Sequence, residues 1–200
     1  MTIDLTKYKG LIFDMDGTLL DTMPYHLDAW ELTAQAYNIP FDRSWIHSMG
    51  GMPSPKITME VNARYGLDLD PKEVAGYKMA RFAEMDGSGE VIPHTFEVLK
   101  TAQGKFKTAI GTGSPRQNAM RLLEGQDLVP MFDTIVTASD VENHKPNPDT
   151  FLLAAERMDI TPAECVVFED TELGKQAAHL AGMDCIMVVG DKFEFYPVAG

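Results

Sequence analysis

Positive charge is scarce in this chain. Among 200 residues, 17 are Lys or Arg against 30 Asp or Glu, a formal net charge of −13. Such a surplus repels DNA, RNA and anionic lipid, so neither a nucleic acid nor a membrane is expected as partner. An anionic substrate would need positive charge placed locally. Cysteine is nearly absent: Cys165 and Cys185 are the two present, each inside an apolar, strand-like run. They read as buried free thiols in a reducing cytoplasm, with their pairing left open. Neither stands beside a basic or glycine-rich loop, which argues against a catalytic thiol. No apolar run approaches the roughly 18 residues needed to cross a bilayer. The first nine residues lack the apolar core of a secretory signal. Repeats and low-complexity tracts are missing too. The expectation is a cytoplasmic protein, monomeric, with a dimer left open.

What is present is ordinary globular material, 44% apolar and 24% charged, enough for one domain carrying a smaller insert. Short, unalternated apolar runs at 10–13, 106–110, 134–137, 165–168 and 185–189 suit strands buried on both faces of a parallel sheet. Helical spacing lies between them, at 94–102, 115–123, 148–158 and 171–181. This alternation predicts an α/β fold, a doubly wound parallel sheet. The rhythm breaks at 24–86, where four helical stretches occur and no convincing strand. The predicted division is an α/β core of residues 1–22 and 88–200, with an all-helical cap at 23–87 closed by a Gly87-Ser88-Gly89 joint.

In an open parallel sheet, ligands bind beyond the carboxyl ends of the strands. Those ends read Asp14-Met-Asp-Gly-Thr18, Gly111-Thr-Gly-Ser114, Asn143-His-Lys-Pro146 and Glu169-Asp170. The first raises a question, because the strand ends on two carboxylates. At about 4 Å and an effective dielectric near 20, like charges repel by roughly 4 kcal/mol, so something positive must sit among these acids. Oxygen donors without a Cys or His cluster fit Mg²⁺. As isolated loop acids or helix caps they would need no common explanation, and Asp170 could cap the helix after it. Four strand ends sharing one rim favour a site. Mg²⁺, a lysine, a hydroxyl and helix N-terminal amides together bind and polarise a phosphoryl group. A carboxylate facing phosphorus can attack it, and a second carboxyl can move the proton.

In order and strand context, Asp14-Met-Asp-Gly-Thr18, Thr112, Lys145 and Glu169-Asp170 resemble the four motifs of haloacid dehalogenase-superfamily phosphatases. Asp21-Thr-Met-Pro-Tyr-His26 and Phe168-Glu-Asp-Thr171 resemble the β-phosphoglucomutase group within it. His144-Lys-Pro-Asn-Pro-Asp-Thr-Phe-Leu-Leu153 and Cys165-Val-Val-Phe-Glu-Asp170 are similar to bacterial YqaB-type fructose-1-phosphate phosphatases. The resemblance implies Asp14 as nucleophile and Mg²⁺ ligand, and Asp16 as acid/base with its backbone carbonyl on the metal. It implies Thr112, Gly113 and Ser114 around the phosphate, Lys145 as its counter-charge, and Asp170 with Glu169 as further metal ligands. Thr18 would serve only the turn.

For the cap, the resemblance places Thr22 and His26 toward the acid/base and the sugar, and Gly51 in a specificity loop. The arginine that mutases carry shortly after that loop is missing at Ser54, which leaves Lys56 as its replacement and Lys78 as a second cap candidate. A lone His or Lys on a helix is more often a surface or packing residue. The implied activity is Mg²⁺-dependent hydrolysis of a small sugar phosphate, a hexose phosphate such as fructose 1-phosphate. The alternatives are a β-phosphoglucomutase using the same intermediate and a catalytically silent interaction protein. A dehalogenase is disfavoured, since Asp16 would then have no leaving group to protonate.

Overall fold

The structure, a computed structural model, describes residues 4–85 and 89–198. The expected 87–89 joint therefore lies largely outside the described residues. Six strands form one sheet: β1 (Gly10–Phe13), β2 (Lys107–Gly111), β3 (Thr134–Val136), β4 (Cys165–Glu169), β5 (Asp184–Val189) and β6 (Lys192–Tyr196). Their order is β3-β2-β1-β4-β5-β6, with β6 alone antiparallel to its neighbour. β6 is an addition to the sequence reading. Its Lys-Phe-Glu-Phe-Tyr alternation is that of a half-solvated edge strand, not of a doubly buried one.

The central strands alternate their side chains between two cores. Leu11, Phe13, Ile110, Val166 and Phe168 face one side, against helices α5 (Pro93–Ala102) and α6 (Arg116–Gly125). Ile12, Ala109, Val167 and Cys185 face the other, against α7 (Asp149–Met158) and α8 (Glu172–Leu180). Register puts Phe13 opposite both Ile110 and Phe168, and the two phenyl rings stack at 4.7 Å between centroids. Both thiols are buried and free, and burial pushes the Cys165 thiol up to about 12, so it stays protonated. The central strands β1, β4 and β5 are thus largely apolar on both faces, and charged groups gather at the carboxyl ends of β1 and β4.

Between β1 and α5 lie α1 (Met23–Tyr37), α2 (Arg43–Ser48), α3 (Ser54–Tyr65) and α4 (Pro71–Glu84). They enclose a core of their own, built on Trp30, Ala34, Ile46, Val61 and Val74. Ala29 and Phe82 instead join the sheet-side core, which ties the helical cap down. The chain departs and returns at adjacent points, where Asp21 N donates to Glu90 O at 2.8 Å. Where α4 begins, Asp70 accepts from Lys72 N and Glu73 N, a cap worth about 1 kcal/mol.

Candidate active site

β1, β2 and β4 end side by side, and the cap lies over their carboxyl ends. A cavity of about 70 Å³ opens at this junction. Asp14, Asp16, Thr112, Gly113 and Ser114 form its sheet-side floor. Gly51, His26 and Lys78 line the cap side, together with apolar groups such as Trp30, Met49 and Met79.

Lys145 lies behind the floor, against Asp14. Its side chain is wholly buried, with Nζ donating to Asp14 Oδ1 at 2.5 Å and to Glu169 Oε1 at 2.7 Å. Burial would lower this amine, but the two carboxylates raise it above the ordinary lysine value and keep it charged. Asp14 is pushed well upward by burial, with Lys145 pulling down and Glu169, Asp170 and Asp16 pushing up. Asp170 rises to about 8 for the same reasons, burial first and then Glu169.

Asp16 has a different environment. Thr22 Oγ1 donates to its Oδ1 at 2.6 Å, and Ser114 Oγ to its Oδ2 at 2.7 Å. His26 Nε2 lies 3.2 Å from Oδ1, and Thr112 Oγ1 donates to Oδ2 at 3.4 Å. Burial opposes ionisation, yet His26, Thr22 and Ser114 together hold this carboxyl well below the usual range. On its other side, His26 Nδ1 is 2.6 Å from Lys78 Nζ. Nε2 protonated and Nδ1 accepting from Lys78 is the tautomer that satisfies both contacts. The imidazole also stacks on Phe82, centroids 4.0 Å apart.

Three expected site residues have other partners here. Glu169 is fully buried with both oxygens engaged: Oε1 by Lys145, Oε2 by Thr171 N at 2.6 Å and Thr171 Oγ1 at 2.8 Å. It braces the lysine before it can serve a metal. Ser114, expected on the phosphate, spends its hydroxyl on Asp16. Lys56 does not line the cavity; its charge instead falls on His144, whose pKa it helps burial to lower. Sequence reading missed Trp30 and Met79 altogether, because apolar helix residues in a cavity wall look like core.

Among the described residues, no group of three or more His, Cys, Asp or Glu side chains is gathered to hold a metal ion. Lys145 separates Asp14 from Glu169, and the Asp16 carboxylate is taken up between Thr22 and His26 on one oxygen and Thr112 and Ser114 on the other. The charge balance nonetheless suits a divalent cation. Three carboxylates, Asp14, Glu169 and Asp170, face the single ammonium of Lys145, an excess of two negative charges when all are ionised. The donors are hard oxygens, as Mg²⁺ requires.

An α/β sheet with paired aspartates ending β1, a buried lysine and a helical lid is the arrangement of the haloacid dehalogenase-like hydrolases, and this chain belongs to that family, whose model matches residues 8–182. Fructose-1-phosphate phosphatase YqaB of Escherichia coli is 42% identical over 183 residues, covering 91% of this chain and 97% of that protein. β-Phosphoglucomutase of Bacillus subtilis is 29% identical over 187 residues, covering 90% of this chain and 83% of that protein. A crystal structure of a hydrolase from Pseudomonas syringae superposes with a TM-score of 0.84 at 25% identity, covering 93% of this chain and 87% of that one. Among the described residues, no helix is long and apolar enough to cross a membrane.

Proposed function

We propose that the protein is a Mg²⁺-dependent phosphatase of a small sugar phosphate, a hexose phosphate such as fructose 1-phosphate, and that it works in the cytoplasm. The observation carrying this reading is the buried Asp14–Lys145 contact at the floor of a lidded cavity, with Asp16 two residues on held by a separate set of donors. The name of the Escherichia coli relative supplies the sugar class.

Asp14 attacks phosphorus and becomes an aspartyl-phosphate while the sugar oxygen departs. Asp16 delivers the proton to that oxygen, then removes one from the water that hydrolyses the intermediate. In the present state Asp16 is held ionised, the form suited to the second half. A phosphoryl group arriving beside it adds like charge and raises its pKa, which suits the first. Thr112, the Gly113 amide and Lys145 hold the phosphoryl oxygens. Asp14, Asp170 and the Asp16 carbonyl would hold Mg²⁺, which supplies charge neutralisation at the transferring group. The cap excludes bulk water from the reactive carboxyl-phosphate.

Hydrolysis is favoured over mutase chemistry by the cap side of the cavity. Ser54 lines it where an arginine would be needed, and Lys56 stands outside it. Lys78 is the only Lys or Arg among its described lining residues, and it is engaged with His26. A second phosphate therefore has no bidentate clamp there. The test is phosphate release across a panel of sugar phosphates, with and without chelator. Release from fructose 1-phosphate that chelator abolishes supports the reading, and full release in chelator contradicts its metal. With β-glucose 1-phosphate, orthophosphate and glucose are expected; glucose 6-phosphate as the main product would establish the mutase instead.

A further inference from the structure

Thr171 lies at a junction that none of the assigned roles uses. It is the residue after Asp170, at the N-cap of α8, and its hydroxyl accepts from Gly174 N at 3.1 Å. The same hydroxyl and its own amide both donate to Glu169 Oε2. Its other face meets the lid. A Cβ placed on Gly50 would come within 3.1 Å of the Thr171 methyl, and one on Gly51 within 3.2 Å of its hydroxyl oxygen. A Cβ on Gly51 would also lie 3.6 Å from the Lys145 stem, and the Gly51 carbonyl oxygen sits so near Gly113 that a side chain on Gly113 would collide with it. Gly174 is equally constrained, since any Cβ would overlap the Glu169 carboxylate.

We infer that Thr171 is a positioning residue with two separable duties: its hydroxyl braces Glu169 and through it Lys145, and its methyl backs the 50–51 loop of the cap. The chain of contacts is short. Thr171 fixes one oxygen of Glu169, which points the other at Lys145, and Lys145 in turn holds Asp14. The hydroxyl serves that brace. The methyl faces Gly50 of the lid, where a side chain would crowd it, while Gly51 lies on the hydroxyl side. An open lid leaves the brace intact but uncovers the methyl; a lost hydroxyl frees Glu169 even when the lid is shut.

The inference rests on the phosphatase reading and is tested with Thr171→Val and Thr171→Ser, using a hexose phosphate and a small aryl phosphate. Val keeps the methyl and removes the hydroxyl. Loss of such an outer partner costs about tenfold or more in kcat, here on both substrates with KM little changed. Ser restores the hydroxyl, so kcat on the aryl phosphate should recover to within about threefold, much less than the loss for Val. On the hexose phosphate, Ser should keep a raised KM, because the lid has lost its seat. If Val lowers Tm through its lost cap yet keeps full kcat while folded, Thr171 is a helix cap only and the inference fails. Equal effects of Ser and Val on both substrates would also overturn it. Asp14→Asn assayed in parallel separates the two claims, since activity retained there contradicts the phosphatase mechanism and not the role of Thr171.

Discussion

Lys145 and Lys78 are both almost completely buried, and both line up behind an aspartate of the same β1 loop, yet they are in opposite electrostatic states. Lys145 reaches two carboxylates directly, and its pKa is raised. Lys78 contacts no carboxylate, only the His26 ring, the Met79 sulfur and the face of Phe82 among the described residues, and burial lowers it to about 7, with Asp16 pulling the other way. Desolvation is common to both; the partners decide the sign. The sheet side of the cavity thus holds fixed charge, suited to a phosphoryl group. The cap side holds a base poised near neutrality among apolar walls, suited to an uncharged sugar.

Replacing the two lysines by methionine should sharpen this contrast. Lys145→Met leaves Asp14 and Glu169 buried without a counter-charge. Removing one partner from such a pair costs about 3–5 kcal/mol, to be read by urea unfolding in chelator, and turnover should fall below detection. A stability within about 1 kcal/mol of the parent would show that the two carboxyls are neutral in the native state.

Lys78→Met should do the reverse. The native pKa lies near 7 and the ordinary value is 10.5, so the unfolded chain binds the extra proton between those limits. Stability of the parent therefore rises with pH across that window, and below it the penalty is complete. The variant lacks this slope and should be the more stable of the two at pH 6, with the gap closing toward pH 10. A gap independent of pH would mean that Lys78 is charged in the folded protein. Lys56→Ala is the smallest case. Away from the cavity and partly exposed, it should change kcat/KM on a hexose phosphate by less than about twofold.

The floor of the site was more legible in the sequence than its roof, for a physical reason. Paired acids at a strand end, a lysine before proline and an acidic pair ending another strand carry a cost unless they share a purpose, so their residue types point to chemistry. On the cap side, Trp30, Met49 and Met79 would look the same in an ordinary helix core, and only the third dimension turns them toward a cavity. Lys56 and Lys78 show the limit from the other direction. Each is a single charge on a helix, and nothing in the sequence says which faces inward. Within the sheet, doubly buried β1, β2, β4 and β5 announce themselves as apolar runs. β6 does not, because its alternating Lys192, Phe193, Glu194 and Phe195 resemble a polar tail until β5 offers it an edge to pair with. The contacts of Ser114 with Asp16 and of Glu169 with Lys145 and Thr171 were not legible, since side-chain direction at a loop is set by packing.

The central claim is that Asp14 carries the phosphoryl group and Asp16 activates water. It is tested most directly by a pre-steady-state measurement on Asp16→Ala with an aryl phosphate. The phenolate leaving group needs no protonation, so Asp14 should still be phosphorylated, while hydrolysis of the intermediate loses its base. The account predicts a burst of phenolate equal to the enzyme concentration, followed by slow turnover, and borohydride reduction of the acid-quenched protein should cleave the acyl phosphate, releasing its phosphate and leaving homoserine at residue 14. Steady release without a burst, or homoserine formed at any position other than 14, would contradict it.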